Sequence, residues 1–280
     1  MKYIKISIPL ILILLLSLFF IFHKTNNVSI KNKNTSLSFV PKINFLTKNI
    51  QNLNQNFKIQ SPSSKNSFFE IKYNLTPYQV ANNLGVTYPP EKTSFVQDVW
   101  QNSYQKLVYS NSSYFYTTSK GYICKNIYIC VNNIINNEFD INTLSFKKDV
   151  IFSKNHINLL YYPTLEGDYI YKTYGDKLYY EFNFSLNYRL TGFSVYPINV
   201  IKIQGKSVSS ILNSKSIKNY PFYSNSYNLK QISFSTQNEA YFIDFLDNNI
   251  VPIYFISGKA DTIKGVLENY FLYVPQIKIK

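Results

Sequence analysis

From residue 178 to residue 190 the chain alternates almost without a break. Leu178, Tyr180, Phe182, Phe184, Leu186, Tyr188 and Leu190 share one parity, and Glu181, Asn183, Ser185, Asn187 and Arg189 stand between them. A period of two sends one set to a core and the other to water. A turn near Asn187 divides the run into two strands, the second covering residues 190–196. Gly175-Asp176 just ahead is a two-residue hairpin signal, joining a strand at 169–174 to the run. Further strands are predicted at 68–73, 114–118, 231–234, 240–246, 251–256 and 270–277, with 122–131 continuing in strand style. Residues 94–108 fit two templates. Val96, Trp100, Tyr104 and Leu107 recur at helical spacing, whereas 106–109 suits a strand.

One local pattern is different in kind. Thr76 is a helix N-cap, Pro77 stands at the first helical position, and Gln79 completes a capping box. Val80, Ala81 and Leu84 form a single apolar stripe, and Gly85 ends the helix with a left-handed residue. The expectation is a short helix over 77–84 that packs by one face. A second helical face occurs at Val208, Ile211 and Leu212 within 207–213. Helix plus antiparallel strands, occurring twice, predicts an α+β protein of two related units, 68–140 and 141–280, with the polar stretch 132–142 marking their boundary.

Ahead of these units the pattern changes again. Lys2 and Lys5 precede an apolar run over 6–22, followed by His23 and Lys24. About twenty such residues suffice to cross a hydrocarbon core of roughly 30 Å. The run ends in Phe-Ile-Phe-His-Lys, with none of the small residues that mark a cleavage site. Residues 1–24 are therefore expected to be an uncleaved signal anchor and single membrane span, with the C-terminal bulk outside the cytoplasm. Residues 25–67, rich in Asn, Lys, Ser, Thr and Gln, are expected to be a polar tether. The apolar residues among 39–46 could add a short strand.

Composition sharpens this picture at two points. The chain has 280 residues, 45% hydrophobic and 18% aromatic, with Tyr 26 and Phe 22, which favours strands. The net charge of +14 invites a nucleic-acid reading. Arg189 is however the sole arginine, and dispersed lysines lack the flat bidentate fork that reads bases and phosphates. No nucleic-acid partner is expected.

The two cysteines, Cys124 and Cys130, are a candidate disulfide with an open outcome. On one continuous strand their sulfurs would lie about 20 Å apart, beyond bridging. With a turn at Lys125-Asn126 a bridge becomes feasible; otherwise two buried thiols result.

Candidate chemistry is sparse. His156 lies in a polar segment without a nucleophile motif, and Glu166 and Asp168 flank Gly167 as a conceivable acid/base pair or as a solvated turn. Phosphate-loop, nucleophile-elbow and zinc-protease motifs do not occur in the sequence, and no cofactor, metal or catalytic residue is expected. The tyrosines offer a different possibility, since exposed Tyr rows on a sheet stack on sugars or form protein interfaces. The candidates are Tyr161-Tyr162, Tyr179-Tyr180 and the tyrosines of 220–227; the alternative is that they pack on the sheet with hydroxyls at its edge.

The C-terminal third carries Tyr196-Pro197-Ile198, the helical segment 207–212, Ala240-Tyr-Phe-Ile-Asp244, Val251-Pro-Ile-Tyr-Phe255 with Gly258, and Tyr273-Val-Pro275. In this order they resemble single-span bacterial proteins related to the YycH/YycI regulators. The segment 76–86 is similar to that family's first-domain helix ending in Leu-Gly, and 106–124 to the hairpin after it. Residues 132–160 depart from the family pattern, lacking the second-domain helix. The resemblance implies an extracytoplasmic α+β fold of the YycI or PepSY-like kind. It also implies a regulatory role, the outer domain binding a partner such as a membrane sensor kinase. The other expectation is a surface protein that binds cell-wall polysaccharide.

Overall fold

The computed structural model describes residues 52–53, 67–86, 91–94, 97–172, 175–204, 206–207, 222–223, 229–244, 248–262 and 267–278. In chain order the strands are β1 (Asn52–Leu53), β2 (Ser67–Lys72), β3 (Glu91–Ser94), β4 (Gln97–Gln101), β5 (Gln105–Ser110) and β6 (Ser113–Ile123). After them come β7 (Ser145–Phe152), β8 (His156–Leu165), β9 (Asp168–Tyr171), β10 (Tyr180–Ser185), β11 (Arg189–Val195) and β12 (Asn199–Gln204). The C-terminal part adds β13 (Lys206–Ser207), β14 (Phe222–Tyr223), β15 (Leu229–Asp244), β16 (Asn249–Thr262), β17 (Leu267–Pro275) and β18 (Ile277–Lys278). Helix α1 is Pro77–Asn83, and α2 is Ile127–Asn133, continued by a π-helical turn at Ile134–Glu138.

Burial alternation forms β10 and β11 within the run 178–190, but Leu186 and Tyr188 lie exposed at its turn, and β9 does not pair with β10 across Gly175-Asp176: β10 pairs with β8 and β11, and β9 with β8 and β15. β10 buries Tyr180, Phe182 and Phe184, and the chain reverses at Tyr188, whose φ is 56°, before β11 buries Leu190, Phe193 and Val195. The α1 prediction is also met. The Thr76 amide donates to Gln79 Oε1 at 2.8 Å and the Gln79 amide to Thr76 Oγ1 at 3.4 Å, a capping box worth about 1 kcal/mol. Val80, Ala81 and Leu84 are buried, and Gly85 takes φ 70°, a backbone region where a side chain is strained even though nothing stands near.

Most of the strands join in one mixed sheet whose main path runs β12-β2-β16-β15-β9-β8-β10-β11-β6-β5-β4-β3. The pairs are antiparallel except where β15 runs parallel to β1 and to β9. The class is α+β, dominated by β. Against one face of β6, β11, β10 and β8 lie α1, α2 and the π turn. Val80, Val131, Ile135 and Phe139 fill a core with Tyr116, Tyr161, Phe182 and Phe193. A smaller cluster of Phe242, Val251, Ile253, Phe255 and Tyr273 lies in the C-terminal strands, so β16 is buried on both faces around its middle.

Three expectations change. Residues 122–131 do not continue as a strand: β6 stops at Ile123, and the Asn126 side chain accepts from the amides of Tyr128 at 2.9 Å and Ile129 at 3.2 Å, which starts α2. The polar stretch 132–142 carries Ile135, Phe139 and Ile141 spaced among its asparagines, and all three are buried in the core. The sheet crosses this position, β11 pairing with β6, and β2 lying between β12 and β16. Finally, residues 97–110 form the β4–β5 hairpin, which settles the helix-or-strand ambiguity for the part of 94–108 that is described.

Other expectations fall outside the described residues: the anchor 1–24, most of the tether 25–67 including residues 39–46, and the helical segment beyond Ser207. Two tether residues, Asn52 and Leu53, pair with Gln231 and Ile232. Among the described residues no helix is long and apolar enough to cross a membrane.

Candidate functional site

The face of β6, β11 and β10 that points away from the helices is polar. Register aligns Phe115, Ser194 and Glu181 in one row and Thr117, Gly192 and Asn183 in the next. Above them lies a groove of about 950 Å³, bordered by Asn111 and Ser112 on one side and by Lys172 and Tyr179 on another. Its floor depends on Gly192. A Cβ there would stand 2.6 Å from the Tyr116 carbonyl oxygen, so the two backbones approach closely where β11 shifts register. The Asn158 side chain donates to Glu181 Oε1 at 3.2 Å, which orients that carboxylate.

Beside this groove three tyrosines meet. Tyr162 on β8 lies 5.9 Å from Tyr169 on β9 and 6.1 Å from Tyr179, ring centroid to ring centroid. Lysines cover them: Lys177 Nζ stands 3.7 Å above Tyr169, Lys147 Nζ 4.3 Å from the same ring, and Lys172 Nζ 5.3 Å from Tyr179. Each contact contributes about 0.5–1 kcal/mol at an exposed site. The Tyr162 hydroxyl is pushed above its usual range, first by burial and then by the nearby Asp149 charge. The result is a half-exposed aromatic platform carrying cations, with a polar groove next to it.

The sheet period sorts the tyrosine pairs singled out from the sequence. Tyr161 and Tyr180 are fully buried, while Tyr162 and Tyr179 point outward and come together. Tyr169 joins them across the β8–β9 turn, a contact that the alternation within either strand does not reveal. The tyrosines of 220–227 contribute only the backbone of β14 to the described residues.

Cys124 and Cys130 form a disulfide, with Cα atoms 5.8 Å apart. The Lys125-Asn126 corner that starts α2 brings them together. His156 lies exposed at the start of β8, its carbonyl accepting from the Ser153 amide. Glu166 and Asp168 sit on the tight β8–β9 turn, where Glu166 has φ 50° and Gly167 φ 88°. Glu166 is more than a solvated turn residue: its carboxylate takes Lys202 Nζ at 2.6 Å and the Tyr241 hydroxyl at 2.7 Å. No group of three metal-ligating side chains occurs among the described residues.

No protein-family model and no curated protein matches the chain. A crystal structure of an uncharacterized protein from Eubacterium rectale is similar at 10% sequence identity, covering 80% of this chain and 86% of that one, with a TM-score of 0.40.

Proposed function

We propose that this chain is a membrane-tethered, extracytoplasmic binding module without catalytic activity, which acts by contact with a membrane protein partner such as a sensor kinase. The observation that carries this reading is the Tyr162–Tyr169–Tyr179 platform beside the polar groove. Tyrosine offers a large, rigid, amphipathic contact at low entropic cost and is enriched where proteins meet. The address is supported by the Cys124–Cys130 disulfide, a bond that persists outside the reducing cytosol, and by the apolar run 6–22. The resemblance to YycH/YycI-like regulators agrees with both.

One observation favours a second reading. Lys147, Lys172 and Lys177 stand over the same rings and would attract an anionic wall polymer.

Crosslinking in intact cells, followed by mass spectrometry, separates the two. One enriched membrane protein, captured by the parent chain and lost with Tyr162→Ala/Tyr179→Ala, supports the regulatory reading. Capture of glycan, with co-sedimentation on purified envelope polymer that persists above about 0.3 M salt, transfers the assignment to the polymer. Capture of neither removes the platform as a binding surface.

A further inference from the structure

At one end of the sheet, the ends and turns of five adjacent strands carry exposed apolar residues. β7, β8, β10, β11 and β6 are consecutive neighbours, so the end of β7, the start of β8, the β10–β11 turn and the end of β6 stand side by side. Backbone contacts tie them together: Ser185 is the register partner of His156, Arg189 that of Ile123, and the Cys124 amide donates to the Tyr188 carbonyl at 2.9 Å. Four interstrand spacings make this end about 19 Å wide.

The tips are large and bare. Phe152 is 74% exposed, Ile123 69% and Leu186 53%; Ile129, in the first turn of α2 beside the Cys124–Cys130 disulfide, is 60% exposed. Isolated apolar residues on a surface are ordinary, whereas several on neighbouring turns form a patch that points to a partner. Cations surround them: Lys125, Lys154 and Arg189 are all exposed. No Asp or Glu occurs in 119–130, 151–158 or 184–191, the three segments that build this end. The carboxylates of Glu166 and Asp168 lie past the opposite end of β8.

We propose that this end of the sheet docks on an anionic lipid surface. Apolar tips on separate turns, interleaved with lysine and arginine, match a bilayer interface, where side chains enter the acyl boundary and cations remain at the headgroups. Tyr188, 50% exposed on the same turn as Leu186, is a residue type enriched at that depth. Charge complementarity selects the lipid, since an uncharged headgroup leaves the cations without counterpart. The docking goes beyond the tether reading and does not require it, because every residue involved lies within 123–189, on the strands, their turns or α2.

The test uses the full-length chain with Phe152→Trp. Trp100, the single native tryptophan, is buried and provides the background signal. The protein is mixed with vesicles of phosphatidylcholine alone or with added phosphatidylglycerol, each made with plain or chain-brominated lipid. Expected is quenching of the F152W emission by about twofold on brominated anionic vesicles, and much less on neutral ones. Ile201→Trp, exposed on β12 away from these turns, should not be quenched. Adding Lys125→Glu/Lys154→Glu to the F152W chain should remove the quenching. Equal emission from plain and brominated vesicles, equal quenching of F152W and I201W, or quenching that ignores headgroup charge or the two lysines would each overturn the proposal. Vesicle flotation, run in parallel, reports the N-terminal anchor separately: a chain that floats without F152W quenching keeps the tether and loses the docking.

Discussion

The Tyr241 hydroxyl donates to Glu166 Oε2 at 2.7 Å, tying the β8–β9 turn to β15 across the sheet. Lys202 on β12 holds the other carboxylate oxygen at 2.6 Å, so one residue collects contacts from two strands. Burial, followed by the Glu166 contact, pushes the Tyr241 phenol well above its usual range. Removing the acceptor with Glu166→Ala should cost about 1–3 kcal/mol, visible as a lower denaturant midpoint at unchanged slope. Lys202→Ala removes only an exposed ion pair, with side chains 57% and 38% accessible, and should cost less than about 1 kcal/mol. A loss for K202A as large as for E166A would mean that the pair, not the phenol, carries the contact.

The disulfide closes a short loop, with a sequence separation of 6. Loop-closure entropy for so short a ring is about 2 kcal/mol. Reduction should therefore lower Tm by about 5 °C while leaving the strand signal in circular dichroism intact, since the bridge joins the end of β6 to α2 and crosses no ladder. Loss of the strand signal on reduction would contradict this placement.

Gly192 is a position where the sheet tolerates no methyl. Gly192→Ala must displace either β11 or β6, because the obstructing atom is the Tyr116 backbone oxygen rather than the end of a flexible side chain. The expected cost is about 1–3 kcal/mol by chemical denaturation. Thr117→Ala, on the same groove floor but exposed, should be nearly neutral.

Alkali should unfold the protein through its tyrosines. Burial, and then the neighbouring Tyr128, pushes the Tyr161 phenol to about 12 from 10.0, and Tyr114, Tyr116 and Tyr196 are raised as well, burial being the largest cause in each. A raised folded-state value means that the folded chain keeps the proton the unfolded chain gives up. The stabilisation is complete below about pH 10 and is lost as pH climbs through the folded values. Tyrosinate absorbance and circular dichroism followed together should show a late group of phenols ionising only as ellipticity falls. Ionisation of all phenols ahead of unfolding would count against this assignment.

How much of this could be seen in the chain depends on how far apart the cooperating residues lie. Helix α1 was legible because cap, stripe and terminating glycine sit within ten residues. The β10–β11 pair was legible because alternation is local. Trp100 and Leu107 misled toward a helix since they are register partners across a hairpin, and a seven-residue separation also fits two helical turns. Around Cys124 the strand style of Tyr122 and Ile123 hid the decisive residue, Asn126, whose cap turns the chain. The aromatic platform was half visible: alternation implies that one member of Tyr161-Tyr162 and one of Tyr179-Tyr180 face outward, but Tyr169 arrives through the β8–β9 hairpin. Glu166 reads as a turn residue because both of its partners are more than thirty positions away.

The placement of β2 has a mechanical consequence. After the two-residue β1, it is the first strand of the sheet's main path, and it is bonded on both edges. All six of its residues pair with β12, and Phe69 and Glu70 also pair with β16. A pull transmitted along the polypeptide from its N-terminal side would have to slide β2 between two neighbours, loading many hydrogen bonds at once, and could not peel them one at a time from an open edge. Shearing β2 loose would thus take more force than unzipping a strand of the same length from an open edge.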